Sequence, residues 1–286
     1  MSLVINGVTK IYKEKNALDD IQLTFEKEKI YGLLGRNGAG KSTLLNIISN
    51  RAFPSRGSVN LDGEKVTDNE HALDNIYLMS EDNLFPSPLK VKDVFKLSEG
   101  FYGNFDWDLA NHMIKAFDLD PKLKMRKLST GYRSIAKLIT ALSVPCDYIF
   151  LDEPVLGLDA NHRELFYQFL LETYEERPRT FVLSTHLIEE IANLLEEVIF
   201  IDHGKLIKQA TVEDILGEGK TLTGPKDLVL AATENLHVLN IDLLGNQATA
   251  FVTGDLPAQL PGEIRLGPMN LQSYFVQLTK RNGEAK

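Results

Sequence analysis

The chain has 286 residues, 43% of them hydrophobic and 25% charged, which suits a globular protein of one large domain and a small one. A formal net charge of −9 argues against a broad nucleic-acid-binding surface. The single cysteine, Cys146, excludes an intramolecular disulfide and suits a reducing compartment; beside an apolar strand it reads as a small buried residue.

The N-terminal residues have no basic region followed by an apolar core, so no signal peptide is expected. No apolar run approaches the ~20 residues needed to span a bilayer as a helix. Alternation at 2–6 and 21–25 predicts an antiparallel pair of strands. The apolar stretch Ile30 to Leu34 predicts a buried strand, and Thr43 to Ile48 the start of a helix. Between them runs Gly35-Arg36-Asn37-Gly38-Ala39-Gly40-Lys41-Ser42-Thr43. It fits G-x-x-x-x-G-K-[ST] at Gly35, Gly40, Lys41 and Ser42. In that setting backbone N–H groups converge on one anion, and glycines let the backbone approach phosphates closely. Lys41 is expected to reach the β- and γ-phosphates of a nucleotide, and the Ser42 hydroxyl to ligate Mg²⁺. Asn37, Gly38, Ala39 and Thr43 complete the expected cradle.

A turn at Pro54 to Gly57 leads into a strand pair broken at Asp62-Gly63, then a strand near 75–79. From about 91 to 142 the apolar spacing becomes helical, with Val91, Val94, Phe95 and Leu97 on one face and Leu109, Met113, Ile114, Phe117 and Leu119 on another. Tyr148 to Leu151 and Thr180 to Leu183 predict central buried strands, with a helix from about 161 to 176 between them. Val198 to Ile201 turns at His203-Gly204 into a hairpin. The stretch 217–220 is a plausible boundary. The remaining residues show hairpin-like alternation and a final amphipathic helix near 271–278, with no chemical motif.

Asp152 and Glu153 close the strand 148–151, at the end where open α/β sheets place ligands. Asp152 can hold Mg²⁺, and Glu153 can orient or polarise an attacking water. Taken alone, the pair could equally be a solvated acidic turn before Pro154. Beside the phosphate loop, the run Leu151 to Asp159 resembles the corresponding segment of ATP-binding cassette (ABC) ATPases. Leu128-Ser129-Thr130-Gly131-Tyr132 resembles the ABC signature, Ser184-Thr185-His186 the switch histidine, and Tyr12 the adenine-stacking aromatic. The resemblance covers about residues 1–210, in family order.

It implies an α/β P-loop NTPase core of ABC type, with a mixed central sheet, an antiparallel β subdomain and a helical subdomain at about 87–143. That core would fill 1–217, with a small α+β accessory domain at 218–286. It also implies that Ser129 and Gly131 bind the γ-phosphate of ATP held by a second protomer. His186 would contact the γ-phosphate and the water, and Asp159 would lie in the loop between protomers. Tyr12 could instead be a half-exposed strand aromatic, Ser129 a plain helix cap, and Asp159 the cap of the 161–176 helix.

The sequence departs from the family after the 75–79 strand, where a Mg²⁺-ligating glutamine is usual. Counting forward from the strand puts Glu81 there; counting backward from Leu84-Phe85 puts Ser80 there. Glu81 is favoured, since a carboxylate can still ligate Mg²⁺. The aromatic run 101–107 is expected either to pack the helical subdomain or to line a groove for a membrane subunit.

The resemblance implies an ATP hydrolase with ATP and Mg²⁺ as cofactors, energising an exporter-like ABC transporter. Its implied partners are a second ATPase subunit and an integral-membrane subunit, with no nucleic acid. Its implied location is the cytoplasmic face of the membrane. The alternative is a soluble ABC ATPase acting on ribosomes or DNA.

Overall fold

The computed structural model describes residues 2–280 apart from 83, 84, 87, 255 and 257–259. The chain begins with β1 (Ser2–Tyr12), β2 (Lys15–Glu26), β3 (Ile30–Leu34), α1 (Lys41–Ile48), β4 (Arg56–Leu61), β5 (Glu64–Lys65), α2 (Glu70–Leu73) and β6 (Ile76–Met79). A helical stretch follows, made of α3 (Val91–Tyr102), α4 (Trp107–Ala116) and α5 (Thr130–Ser143). Then come β7 (Tyr148–Asp152), α6 (Ala160–Glu176), β8 (Thr180–Thr185), α7 (Ile188–Ile191), β9 (Glu197–Asp202) and β10 (Lys205–Thr211). The chain closes with α8 (Val212–Glu218), β11 (Gly219–Pro225), α9 (Lys226–Ala232), β12 (His237–Leu244), β13 (Gln247–Thr253), β14 (Arg265–Pro268) and α10 (Leu271–Lys280).

Two compact units emerge: Met1–His186 with Ile201–Lys208, and Leu187–Phe200 with Gln209–Lys286. In the first, β1 pairs antiparallel with β2 and with β4, giving the order β2-β1-β4-β5. Both long strands run well beyond the 2–6 and 21–25 stretches that alternation picks out. Register shifts after Ile5 and after Val8 break the period-two pattern without ending the pairing. The second sheet has the order β10-β9-β3-β8-β7-β6. Its strands β3, β8, β7 and β6 are mutually parallel and buried along their whole length, which explains their continuous apolar runs. Parallel pairing sends every one of these strands toward the same edge. The segments after β3, β6, β7 and β8 therefore meet there, and they carry the phosphate loop, Glu81, Glu153 and His186.

α4, α5 and α6 are each capped by the side chain before them: Asp106 accepts from Leu109 N at 2.9 Å, Ser129 from Tyr132 N at 3.2 Å and Asp159 from His162 N at 3.0 Å. In the second unit, β11 pairs antiparallel with β13 and β14 in the order β12-β13-β11-β14. Leu222, Ala248, Ala250 and Val252 pack with Val229 of α9 in a core of their own. Tyr274 and Phe275 of α10 stack on Phe200, at 6.0 and 5.5 Å between ring centroids. That contact draws Leu187–Phe200 into the second unit, whereas composition marks only the 217–220 stretch. Among the described residues, no helix is long and apolar enough to cross a membrane.

Candidate active site

The loop between β3 and α1 needs its glycines. Gly38 and Gly40 have φ of 80° and 110°, in the region that favours glycine. A Cβ on Gly40 would come within 2.7 Å of Ala17 O, and one on Gly35 within 2.4 Å of Ile201 O. Lys41 opens α1, is buried, and donates from Nζ to Gly35 O at 2.8 Å. The ammonium is thus held inside its own loop. Burial pushes the Lys41 pKa down, and the nearby Glu153 and Asp152 carboxylates push it back up.

Asp152 is buried at the end of β7, where the parallel register sets it opposite Ser184. The Ser184 hydroxyl donates to Asp152 Oδ1 at 2.8 Å. Glu153, the next residue, has a φ of 48°, an uncommon conformation for a residue with a side chain. Its N–H donates to Ser184 O at 2.8 Å. Its carboxylate accepts from Thr185 Oγ1 at 3.1 Å and meets His186 Nδ1 at 3.0 Å. The β8 end therefore supplies three successive side chains that hold the acidic pair, of which only His186 is assigned a role from sequence. The signal for Ser184 and Thr185 was their place in the Ser-Thr-His run, but their partners follow only from the strand register.

One cavity of about 500 Å³ gathers Tyr12, the 37–43 loop, Glu81, Asp152, Glu153 and His186. Lys15, Ala17 and Leu156 also line it, and sequence reasoning missed them. The donor set fits a nucleotide triphosphate: a glycine cradle on one wall, a buried ammonium at its base, and carboxylates facing it. It also fits Mg²⁺, which favours oxygen ligands and is commonly held by one or two protein groups plus phosphates and water. Among the described residues no cluster of three or more His, Cys, Asp or Glu is assembled for a metal. The Ser42 hydroxyl, Asp152 and Glu81 are among the oxygen groups on the cavity wall, with Thr43, Asn37, Tyr12 and Glu153.

Tyr12 is 50% exposed at the cavity mouth, with Lys10 Nζ 4.9 Å from its ring centroid. Glu81 lines the cavity; the Ser80 hydroxyl instead donates to Asp82 O at 3.3 Å. Leu84, on which the backward alignment to Ser80 rests, lies outside the described residues. Ser129, Gly131 and Asp159 are not part of the cavity lining. Gly131 packs instead on the loop after β7, where a Cβ on it would meet Gly157 O at 2.7 Å. The aromatic run divides. Phe105 and Trp107 pack on Phe95, and Tyr102 packs on Tyr77, whereas Phe101 is 72% exposed beside Phe85 in a separate groove of about 230 Å³.

A parallel α/β sheet with this loop, this acidic strand end and this helical insertion defines an ATP-binding cassette ATPase. Residues 18–156 match the family described as ABC transporter. The chain is 29% identical over 255 residues to the ABC transporter ATP-binding protein YtrB of Bacillus subtilis (strain 168), covering 88% of this chain and 86% of that protein. It is 28% identical to the petrobactin import ATP-binding protein YclP of the same organism, covering 74% of this chain and 88% of that one. It is 28% identical to the Nod factor export ATP-binding protein I of Burkholderia lata, covering 96% of each. A solved dimeric ATP-binding cassette in a post-hydrolysis state, bound to ADP and phosphate, superposes with a TM-score of 0.66 at 25% identity, covering 73% of this chain and 98% of that one. The segment 18–156 is accordingly an ATP-binding domain of the ABC transporter type, and its activity is ATP hydrolysis.

Proposed function

We propose that two such subunits close around two ATP molecules and thereby drive export by separate membrane subunits. The observation that carries this reading is the split of the motifs. The phosphate loop, Asp152, Glu153 and His186 share one cavity, while Ser129, Gly131 and Asp159 do not line it. A second copy, or a related subunit, supplies the missing donors, as Ser129 and the Gly131 N–H sit at a helix N-terminus suited to a γ-phosphate. Mg²⁺, when bound, neutralises phosphate charge. Ser42, Asp152 and Glu81 are the residues assigned to hold it. Glu153 receives a proton from the attacking water or orients it, and His186 keeps the Glu153 carboxylate in place. Tyr12 stacks on adenine with the ring face away from Lys10.

In this reading residues 1–217 are the ATPase domain, with the helical subdomain at about 87–143, and 218–286 an accessory domain. The subunit works at the cytoplasmic face of the membrane, held there by its membrane partner. The groove beside Phe101 and Phe85 suits a segment of that partner. Export is supported by the end-to-end match to the Nod factor relative; the import-named relative matches a smaller share of this chain.

Complementation tests the composite site. Lys41→Ala removes one half and Ser129→Arg, at an exposed position, the other, so each variant alone should hydrolyse no ATP. Mixed, they form one intact site per pair and should recover activity. A mixture that stays inactive, while the wild type is active alone, overturns the composite arrangement.

A further inference from the structure

Lys137 lies on the inward face of α5, between Ala136 and Leu138, and is 7% exposed. Burying an ammonium among apolar groups is unfavourable unless its donors are met. Here they are met by backbone alone. Nζ donates to Ser80 O at 2.9 Å and Glu81 O at 2.8 Å, and lies 3.5 Å from Asp82 O. These are three consecutive carbonyls just past the end of β6, where the sheet ladder no longer supplies partners. A lysine carries three donors on a compact charge, which matches three converging acceptors. Burial lowers the Lys137 pKa; Asp82, Glu81 and Asp152 raise it, and Arg133 lowers it.

The placement matters as much as the bonds. Lys137 lines the groove that holds Phe85 and Phe101, and also a small cavity of about 70 Å³ shared with Glu81, Glu153 and Thr130. It sits two turns into the helix that Ser129 caps. The segment it holds is the one in which this sequence lacks the usual glutamine.

We propose that Lys137 is a positioning residue: it fixes the 80–82 turn to α5, sets the Glu81 carboxylate in the nucleotide cleft, and makes that turn and the Ser129–Gly131 helix move as one piece. This rests on the reading that Glu81 faces the Mg²⁺-nucleotide.

The test uses the full chain with Lys137→Met, Lys137→Gln and Glu81→Ala. Hydrogen–deuterium exchange of the 80–82 amides should speed up by about tenfold in Lys137→Met, the loss of roughly one hydrogen bond's worth of protection. Fluorescent ATP-analogue titration without Mg²⁺ should be unchanged. The Mg²⁺ concentration that half-maximally strengthens analogue binding should rise by about tenfold in Lys137→Met and less in Lys137→Gln, which keeps an amide donor. Adding Glu81→Ala to Lys137→Met should raise it no further than Glu81→Ala does alone. Wild-type exchange at 80–82 in Lys137→Met overturns the proposal. So does a wild-type Mg²⁺ midpoint there when Glu81→Ala shifts it. If Lys137→Met does not fold, the same two readouts on Lys137→Gln decide. Faster exchange with no Mg²⁺ effect from Glu81→Ala would keep Lys137 as the anchor of the turn and overturn only the role of Glu81.

Discussion

The Glu153 carboxylate and the His186 imidazole face each other at 3.0 Å across the ends of neighbouring parallel strands. With Thr185 on its other oxygen, the carboxylate is held by the protein's own side chains. Such preorganisation is what a residue that orients water requires.

Glu153→Gln keeps the shape and removes the carboxylate that we propose acts on the water. Hydrolysis should fall by about 10²-fold or more, while ATP binding persists. Incubated with Mg²⁺ and ATP, the variant should accumulate a dimer by size-exclusion chromatography. Unchanged turnover would remove Glu153 from its assigned role.

His186→Ala frees one side of that carboxylate and leaves Thr185 in place. The expected effect is a fall in kcat on the order of 10-fold to 10²-fold, with little change in analogue affinity, because the phosphate cradle is untouched. Steady-state kinetics separates the two parameters.

Lys41→Ala empties the base of the cradle. Charge-assisted hydrogen bonds are worth about 1.5–3 kcal/mol each, so nucleotide affinity should drop by about tenfold to a hundredfold in a fluorescence titration. The thermal midpoint without nucleotide should move less than affinity does, since the Lys41 bond to Gly35 O is local to the loop.

Cys146 is 1% exposed, and its thiol lies 3.3 Å from Asp74 O. Burial pushes its pKa up to about 12, so at pH 8 almost none is thiolate. A thiol-specific reagent should leave the native protein unlabelled at pH 8 and label it stoichiometrically in denaturant.

The chemistry of the cleft was legible because it is concentrated in short runs. Strand, glycine loop and helix are contiguous around Gly35 to Thr43, and β7 reads as an apolar run ending in Asp152. What escaped the sequence depends on register and on long-range contact. Asp152 meets Ser184 because β7 and β8 pair in parallel, a relation across 32 residues that no local pattern encodes. Alternation stops short of the ends of β1 and β2, because bulges interrupt it without interrupting hydrogen bonding. Lys137 looks in sequence like one more lysine on a helix, and only burial distinguishes it.

The contact between Gly131 and Gly157 has a consequence for how this sequence can drift. A methyl group at 131 would stand 2.7 Å from the Gly157 carbonyl, too near for either backbone to stay where it is. Gly157 itself holds a φ of 81°, so it cannot readily yield by accepting a side chain. The two positions are therefore locked together sterically. A side chain at either glycine would force both loops to move at once, and with them the Ser129–Gly131 helix end that we propose a second subunit reads.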